Sequence, residues 1–139
     1  MIFIKHRVNK ISDLAALETS WGVEIDLRSD VASMGSIHLA HDPWTLGENF
    51  DSWLNEFKNL RIQGPIILNT KEDALEERAL ELLKKYELKN FFFLDTALPT
   101  LVRHTGQGAR FFASRLSKFE PPAFAQRFAG RCEWLWLDC

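Results

Sequence analysis

This chain is poor in the residues that would fix its class at a glance. It has two cysteines, Cys132 and Cys139, both near its end, with no CxxC pair and no zinc spacing. Nothing therefore points to a disulfide framework or a thiolate metal site, and a reducing, cytoplasmic location is the expectation. The formal net charge of -2 gives no electrostatic case for nucleic acid, whose binders show a basic patch. Long hydrophobic runs are missing too. The apolar start, Met1 to Ile4, is far too short for a signal peptide or a membrane span. No linker, repeat or low-complexity stretch divides the chain, so residues 1–139 are expected to form a single domain.

What is present is the makings of a core. Hydrophobic residues make up 46% of the 139 and charged ones 26%, a globular balance that includes eleven phenylalanines and five tryptophans. Apolar runs at 2–8, 23–27, 64–71, 90–95, 109–116 and 132–139 predict six strands, with the Phe91–Phe93 cluster as core. Between them, 11–20, 49–61, 72–86, 97–108 and 121–130 predict helices. In 49–61, Phe50, Trp53, Leu54 and Phe57 share one side, as do Leu75, Ala79, Leu82 and Leu83 in 72–86. The piece 36–43 is extended and stops at Pro43. Alternating strands and helices predict an α/β fold with a parallel sheet, and strands apolar throughout predict cover on both faces. An open doubly wound sheet and a TIM-type (β/α) barrel both satisfy this pattern. A dinucleotide-binding doubly wound sheet needs a glycine-rich turn after its first strand. The turn here, "HRVNKIS", has no glycine.

The polar residues are placed with a bias. His6 and Arg7 close the first strand, Glu24 and Asp26 the second, Asn69 and Lys71 the third, and His41 and Asp42, at the end of the extended piece, lie just beyond the second. All fall toward the carboxyl ends of strands, where both architectures keep their ligands. Each has a plainer reading. A single His6 serves a core as readily as a site, Asp42 before Pro43 is an ordinary turn starter, and Lys71 opens a solvated helix. His38 and His104 fit structural or exposed roles better. Glu24 and Asp26 resist the plain reading, because two carboxylates two residues apart share one face of a buried strand.

As a set the residues have a chemistry. Two carboxylates and an amide oxygen make an all-oxygen site for a hard cation, Mg²⁺ or Ca²⁺. Two histidines can act as general acid and base near neutral pH. Arg7 and Lys71 supply positive charge for an anion. A cation, two histidines and two basic side chains point to phosphate ester chemistry.

The ordered pieces "HR" (6 and 7), "EID" (24–26), "HDP" (41–43) and "NTK" (69–71) resemble the glycerophosphodiester phosphodiesterases. These share a barrel superfamily with phosphatidylinositol-specific phospholipases C and with sphingomyelinase D-type enzymes. The resemblance spans residues 6 to 71, about half the chain. It implies a TIM-type barrel and a metal-dependent hydrolase of a small phosphodiester. His6 and His41 would be its catalytic pair, Glu24, Asp26 and Asn69 would hold the divalent cation, and Arg7 and Lys71 would hold the substrate phosphate. Asp95, Arg115 and Asp138, from later strands, are weaker pocket candidates. The alternative is a non-catalytic module, derived from the barrel, that binds a phosphoester or sugar phosphate.

The sequence departs from that pattern in three places. Asn69 stands where the family commonly has an acidic ligand, which implies a weaker hold on the cation. "HRVN" replaces the usual His-Arg-Gly. Eight residues separate His41 from Phe50, so the insertion carried there by many family members is missing. A closed barrel needs eight strands. Six imply an incomplete barrel, whose open edges could pair in a homo-oligomer.

Overall fold

In the computed structural model, which describes residues 1–138, eight strands and five helices follow one another along the chain. The strands are β1 (Ile4–Lys5), β2 (Gly22–Ser29), β3 (Ile37–Leu39), β4 (Glu48–Asn49), β5 (Ile66–Thr70), β6 (Phe91–Leu94), β7 (Ala113–Ser117) and β8 (Trp134–Asp138). The helices are α1 (Ile11–Leu14), α2 (Phe50–Asn59), α3 (Glu76–Lys85), α4 (Leu98–Gly106) and α5 (Pro122–Gln126). Cys139, the last residue of the sixth expected strand, lies outside the described residues.

Strand order decides between the two candidate architectures. β1 pairs with β2, β2 with β5, β5 with β6 and β7 with β8, all parallel. A parallel bridge between Phe93 and Phe112 joins β6 to the β7–β8 pair. Six parallel strands thus run in chain order, with no reversal of the kind that defines a doubly wound sheet. This is barrel order, and among the described residues the barrel does not close: β1 and β8 are left as edges.

The six expected strands are the six parallel ones, but three details differ. The first is two residues long rather than seven, because Arg7 takes a left-handed φ of 55° and breaks the pairing. Pairing resumes when the Val8 amide reaches the Glu24 carbonyl. The extended piece is a real strand, β3, which runs antiparallel along β2 and pairs in turn with the short β4. Helix α1 stops at Leu14 instead of Ser20, since the chain turns there to let the Thr19 carbonyl receive the Gln63 amide. Gly64 lies against that turn. A Cβ at position 64 would sit 1.9 Å from the Trp21 carbonyl oxygen, so the close approach requires glycine.

Alternation along the strands sorts the core into two layers. Val23, Ile25, Leu27, Ile66, Leu68 and Phe93 point outward, against Phe50, Trp53, Leu54 and Phe57 of α2 and Ala79, Leu82 and Leu83 of α3. The inward layer is small: Ile67, Phe92, Leu94 and Ala113, with Ile4 and Trp136 packed on it. Above that apolar floor the inward positions turn polar. No helix among the described residues is long and apolar enough to cross a membrane.

Candidate functional site

The break in β1 aims the first two site residues. Between Lys5, which faces Val23, and Val8, which bonds to Glu24, the chain carries His6 and Arg7 as extra residues against β2. Such a bulge re-aims side chains at a sheet edge. The Trp53 indole N–H donates to the Val8 carbonyl at 2.9 Å, so α2 pins the loop from behind. Where β1 leaves the edge of β2, β3 takes it over and runs back. Its register, Leu27 opposite Leu39, brings the Ala40 amide to the Asp26 carbonyl at 3.1 Å. The next residue is His41, which is thereby delivered over the carboxylates. From the other side, β5 sets Asn69 directly opposite Asp26.

All ten residues singled out from the sequence line one cavity of about 260 Å³: His6, Arg7, Glu24, Asp26, His41, Asn69, Lys71, Asp95, Arg115 and Asp138. Leu94 and Trp136 complete its wall. His38 and His104 are elsewhere, in keeping with structural roles. His104 is buried against Phe112, with their ring centres 5.4 Å apart.

The two acids are buried and closely held. Glu24 accepts from the Arg7 backbone N–H at 2.8 Å on Oε2 and from Asn69 Nδ2 at 2.9 Å on Oε1. Asp26 accepts from Asn9 Nδ2 at 2.8 Å on Oδ2, while its own amide donates to Asn9 Oδ1 at 2.9 Å. Lys71 brings its ammonium to 3.2 Å of Asp26 Oδ1. These contacts offset the cost of burying two like charges side by side. His6 Nδ1 lies 3.8 Å from Glu24 Oε2, and the His6 ring meets Trp136 edge-on.

His41 is oriented at both ring nitrogens. Nδ1 is 2.8 Å from Asp42 Oδ1, and Nε2 is 3.0 Å from Arg7 Nη2. Since a guanidinium only donates, Nε2 carries the lone pair and Nδ1 the proton. The hydrogen bond to His41 first, and then the nearby Arg7 and Arg28 charges, hold the Asp42 carboxyl below the ordinary carboxylate value. Across the cavity Arg115 joins the weaker candidates to one another. It donates to Asp95 Oδ1 at 2.7 Å and to Asp138 Oδ2 at 3.0 Å, linking β6, β7 and β8. Asp95 itself has a left-handed φ of 60°.

The donor set can be tested against a hard cation. Asn69 Oδ1 is buried with no hydrogen-bond donor, and Asp26 Oδ1, on its register partner, is buried with only the Lys71 ammonium near it, at 3.2 Å and outside hydrogen-bond geometry. Unsatisfied oxygens facing one cavity are what such an ion completes, so the residues fit one. No group of three His, Cys, Asp or Glu side chains gathers at one point among the described residues. The set is therefore two carboxylates and an amide, and Lys71 competes for one of the carboxylates.

Three lining or supporting residues escape the sequence reading. Asn9 belongs to "HRVN", where only the lost glycine draws notice. An asparagine two residues past a strand-end arginine is the available signal. Leu94 and Trp136 sit in apolar runs that read simply as core.

The fold and the cavity together define a barrel-type α/β protein with a polar carboxyl-end site. Comparison with solved structures agrees. The chain is similar to a protein from Agrobacterium tumefaciens provisionally assigned as a glycerophosphoryl diester phosphodiesterase. The TM-score is 0.63 over 92% of this chain and 68% of that one, at 13% sequence identity, so the likeness is one of fold. No protein-family model and no curated protein matches the sequence.

Proposed function

We propose that this chain is a metal-dependent phosphodiesterase that hydrolyses a small phosphodiester, glycerophosphodiester-like or sugar-linked, by acid–base catalysis between His6 and His41. The observation that carries this reading is His41, held at Nδ1 by a carboxylate and offering Nε2 as acceptor beside two basic side chains. In this reading the substrate phosphate takes over the Arg7 donor. That frees Nε2 of His41 to accept a proton from the attacking oxygen. His6, on the largely exposed lip of the cavity, gives a proton to the departing alcohol. Lys71 and Arg7 stabilise the charge that builds on the phosphate oxygens. A divalent cation, held by Glu24, Asp26 and Asn69, would add positive charge at the same oxygens.

The test is cleavage of bis(p-nitrophenyl) phosphate and of glycerophosphodiesters with Mg²⁺ or Ca²⁺. Turnover is expected in the wild type and not in His6→Ala or His41→Ala. If no diester is cleaved with either ion, the hydrolase reading is wrong. One observation favours the second reading, a non-catalytic phosphoester- or sugar-phosphate-binding module. The third oxygen donor is the neutral Asn69, and it already spends its Nδ2 on Glu24. Calorimetry that finds phosphoester binding without turnover would select that module.

A further inference from the structure

His41 sits where the pairing of β3 runs out. The Ala40 amide still bonds to the Asp26 carbonyl, but the next strand pairing comes only at Glu48, on β4. At that point a side chain from β2 takes hold of the backbone. Arg28 donates from Nε to the Ala40 carbonyl at 3.2 Å and from Nη2 to the His41 carbonyl at 2.8 Å. Nε and Nη2 lie on one edge of the planar guanidinium, so that edge grips two successive peptide groups. The second of these peptides joins His41 to Asp42, whose side chains meet at 2.8 Å. Gripping it fixes the imidazole and its carboxylate partner together.

Arg28 is itself held. Its third nitrogen, Nη1, lies 3.6 Å from Glu72 Oε1. Glu72 in turn accepts on Oε2 from the Ser29 amide at 3.2 Å and from the Ser29 hydroxyl at 2.5 Å. Glu72 follows Lys71, whose amide bonds to the Leu27 carbonyl at 3.1 Å. One polar brace thus ties the ends of β2, β3 and β5, and neither Arg28 nor Glu72 lines the cavity. The Arg28 side chain is 13% exposed, so water has little access to replace its bonds. In the hydrolase reading the substrate phosphate takes Arg7 from His41 Nε2. The imidazole then depends on Asp42 at Nδ1 and on the peptide behind both side chains, which Arg28 grips.

We infer that Arg28 is a positioning residue for His41, with Glu72 holding Arg28 in place. By keeping Asp42 in reach of Nδ1 it sets the tautomer that leaves Nε2 free to accept a proton, and it touches neither substrate nor cation. A lysine cannot take this role: its ammonium is a point donor and does not span two successive carbonyls while facing Glu72. The effect on turnover rests on the hydrolase reading above, whereas the hold on His41 does not.

The His41 ring reports this without turnover. Its tautomer is read by NMR from the nitrogen shifts of the neutral imidazole, assigned by comparison with His41→Ala. The wild type should be the Nδ1-protonated form. Arg28→Lys, which keeps a positive charge beside Glu72, should give a mixture of both tautomers. In the diester assay it should lower kcat by roughly 10²-fold, the scale of a small misplacement, with KM changed by less than about twofold. Circular dichroism and thermal melting check its fold. If Arg28→Lys does not fold, Glu72→Gln takes its place, with the same change expected at smaller size. Three results would overturn the inference: a wild-type His41 protonated at Nε2, a tautomer and kcat in Arg28→Lys equal to those of the wild type, or a variant that loses only melting temperature. A mixed tautomer in Arg28→Lys when the wild type cleaves no diester would keep Arg28 in its role and remove the hydrolase reading. Wild-type cleavage with tautomer and kcat unchanged in Arg28→Lys would do the reverse.

Discussion

β2 and β8 are strands of similar kind with opposite surroundings. β2 has β5 on one edge, β1 and β3 on the other, and helices behind it, and its first six residues are buried. Among the described residues β8 has only β7 beside it, and four of its five residues are exposed. Both send carboxylates into the same cavity. On β2 these are buried, and each is fixed by neighbouring backbone and amide groups. On β8, Asp138 is half exposed and held by one arginine. The proposed site thus has a rigid wall, β1 to β5, and a thin one, β7 and β8. Chemistry that needs fixed distances belongs on the first.

That contrast can be broken or sharpened in four ways. The largest effect is expected from the rigid wall: His41→Ala should lower diester turnover by roughly 10²–10⁴-fold, the usual worth of a positioned acid–base group. Asp138→Ala should cost less than about tenfold in the same assay. If Asp138 proves equal to His41, the division into two walls is mistaken.

Stability should follow the same divide. Trp53 is wholly buried behind β2 and bonded to the site loop, so Trp53→Ala should cost about 3–5 kcal/mol by denaturant unfolding. Leu137→Ala on β8, 61% exposed, should stay within about 0.5 kcal/mol.

A third test concerns charge in the rigid wall. Asn69→Glu adds a third carboxylate and removes a donor from Glu24. Without cation the variant should unfold at lower temperature than the wild type. With Mg²⁺ or Ca²⁺ it should recover and bind the ion about tenfold more tightly by calorimetry. Equal affinity in both proteins would remove Asn69 from the cation site.

The smallest effect lies outside the cavity. Glu76, at the start of α3, is fully buried, and neither carboxyl oxygen has a hydrogen-bond partner. Burial first, and then Asp73 and Glu77, push its pKa above the ordinary 4.5. For an acid raised in the folded state, stability is intact below pH 4.5 and is lost as pH rises through the raised value. Glu76→Gln should therefore raise the melting temperature at neutral pH, with the gain vanishing below 4.5. A gain that is constant with pH would point to packing instead.

The six parallel strands were legible because each is a dense apolar run, and the ten cavity residues because they fall at the ends of those runs. What escaped the sequence was set by tertiary contact. β1 looks seven residues long until Arg7 turns left-handed, which periodicity does not register. β3 could not be assigned a direction, since its antiparallel course follows from pairing with β2. β7 begins at Ala113, four residues later than its apolar run, because the Ala109 amide turns back to the His104 carbonyl and the Phe112 amide to that of Arg110. In the cavity, Asn9 gained its place only because a bulge folded it onto Asp26. Linkage of Asp95, Arg115 and Asp138 needed the order of three strands, which no single run contains.

The order of the parallel strands bears on how such a chain is assembled. Each pairs with the parallel strand made just before it, so none has to wedge between neighbours that are already paired. Synthesis proceeds from the amino end, and the sheet can be laid down strand by strand in that sequence. By the time Lys71 is added, the chain already contains both histidines, both buried acids and Asn69. The region of the molecule that carries the proposed chemistry is also made before the thin wall of β7 and β8.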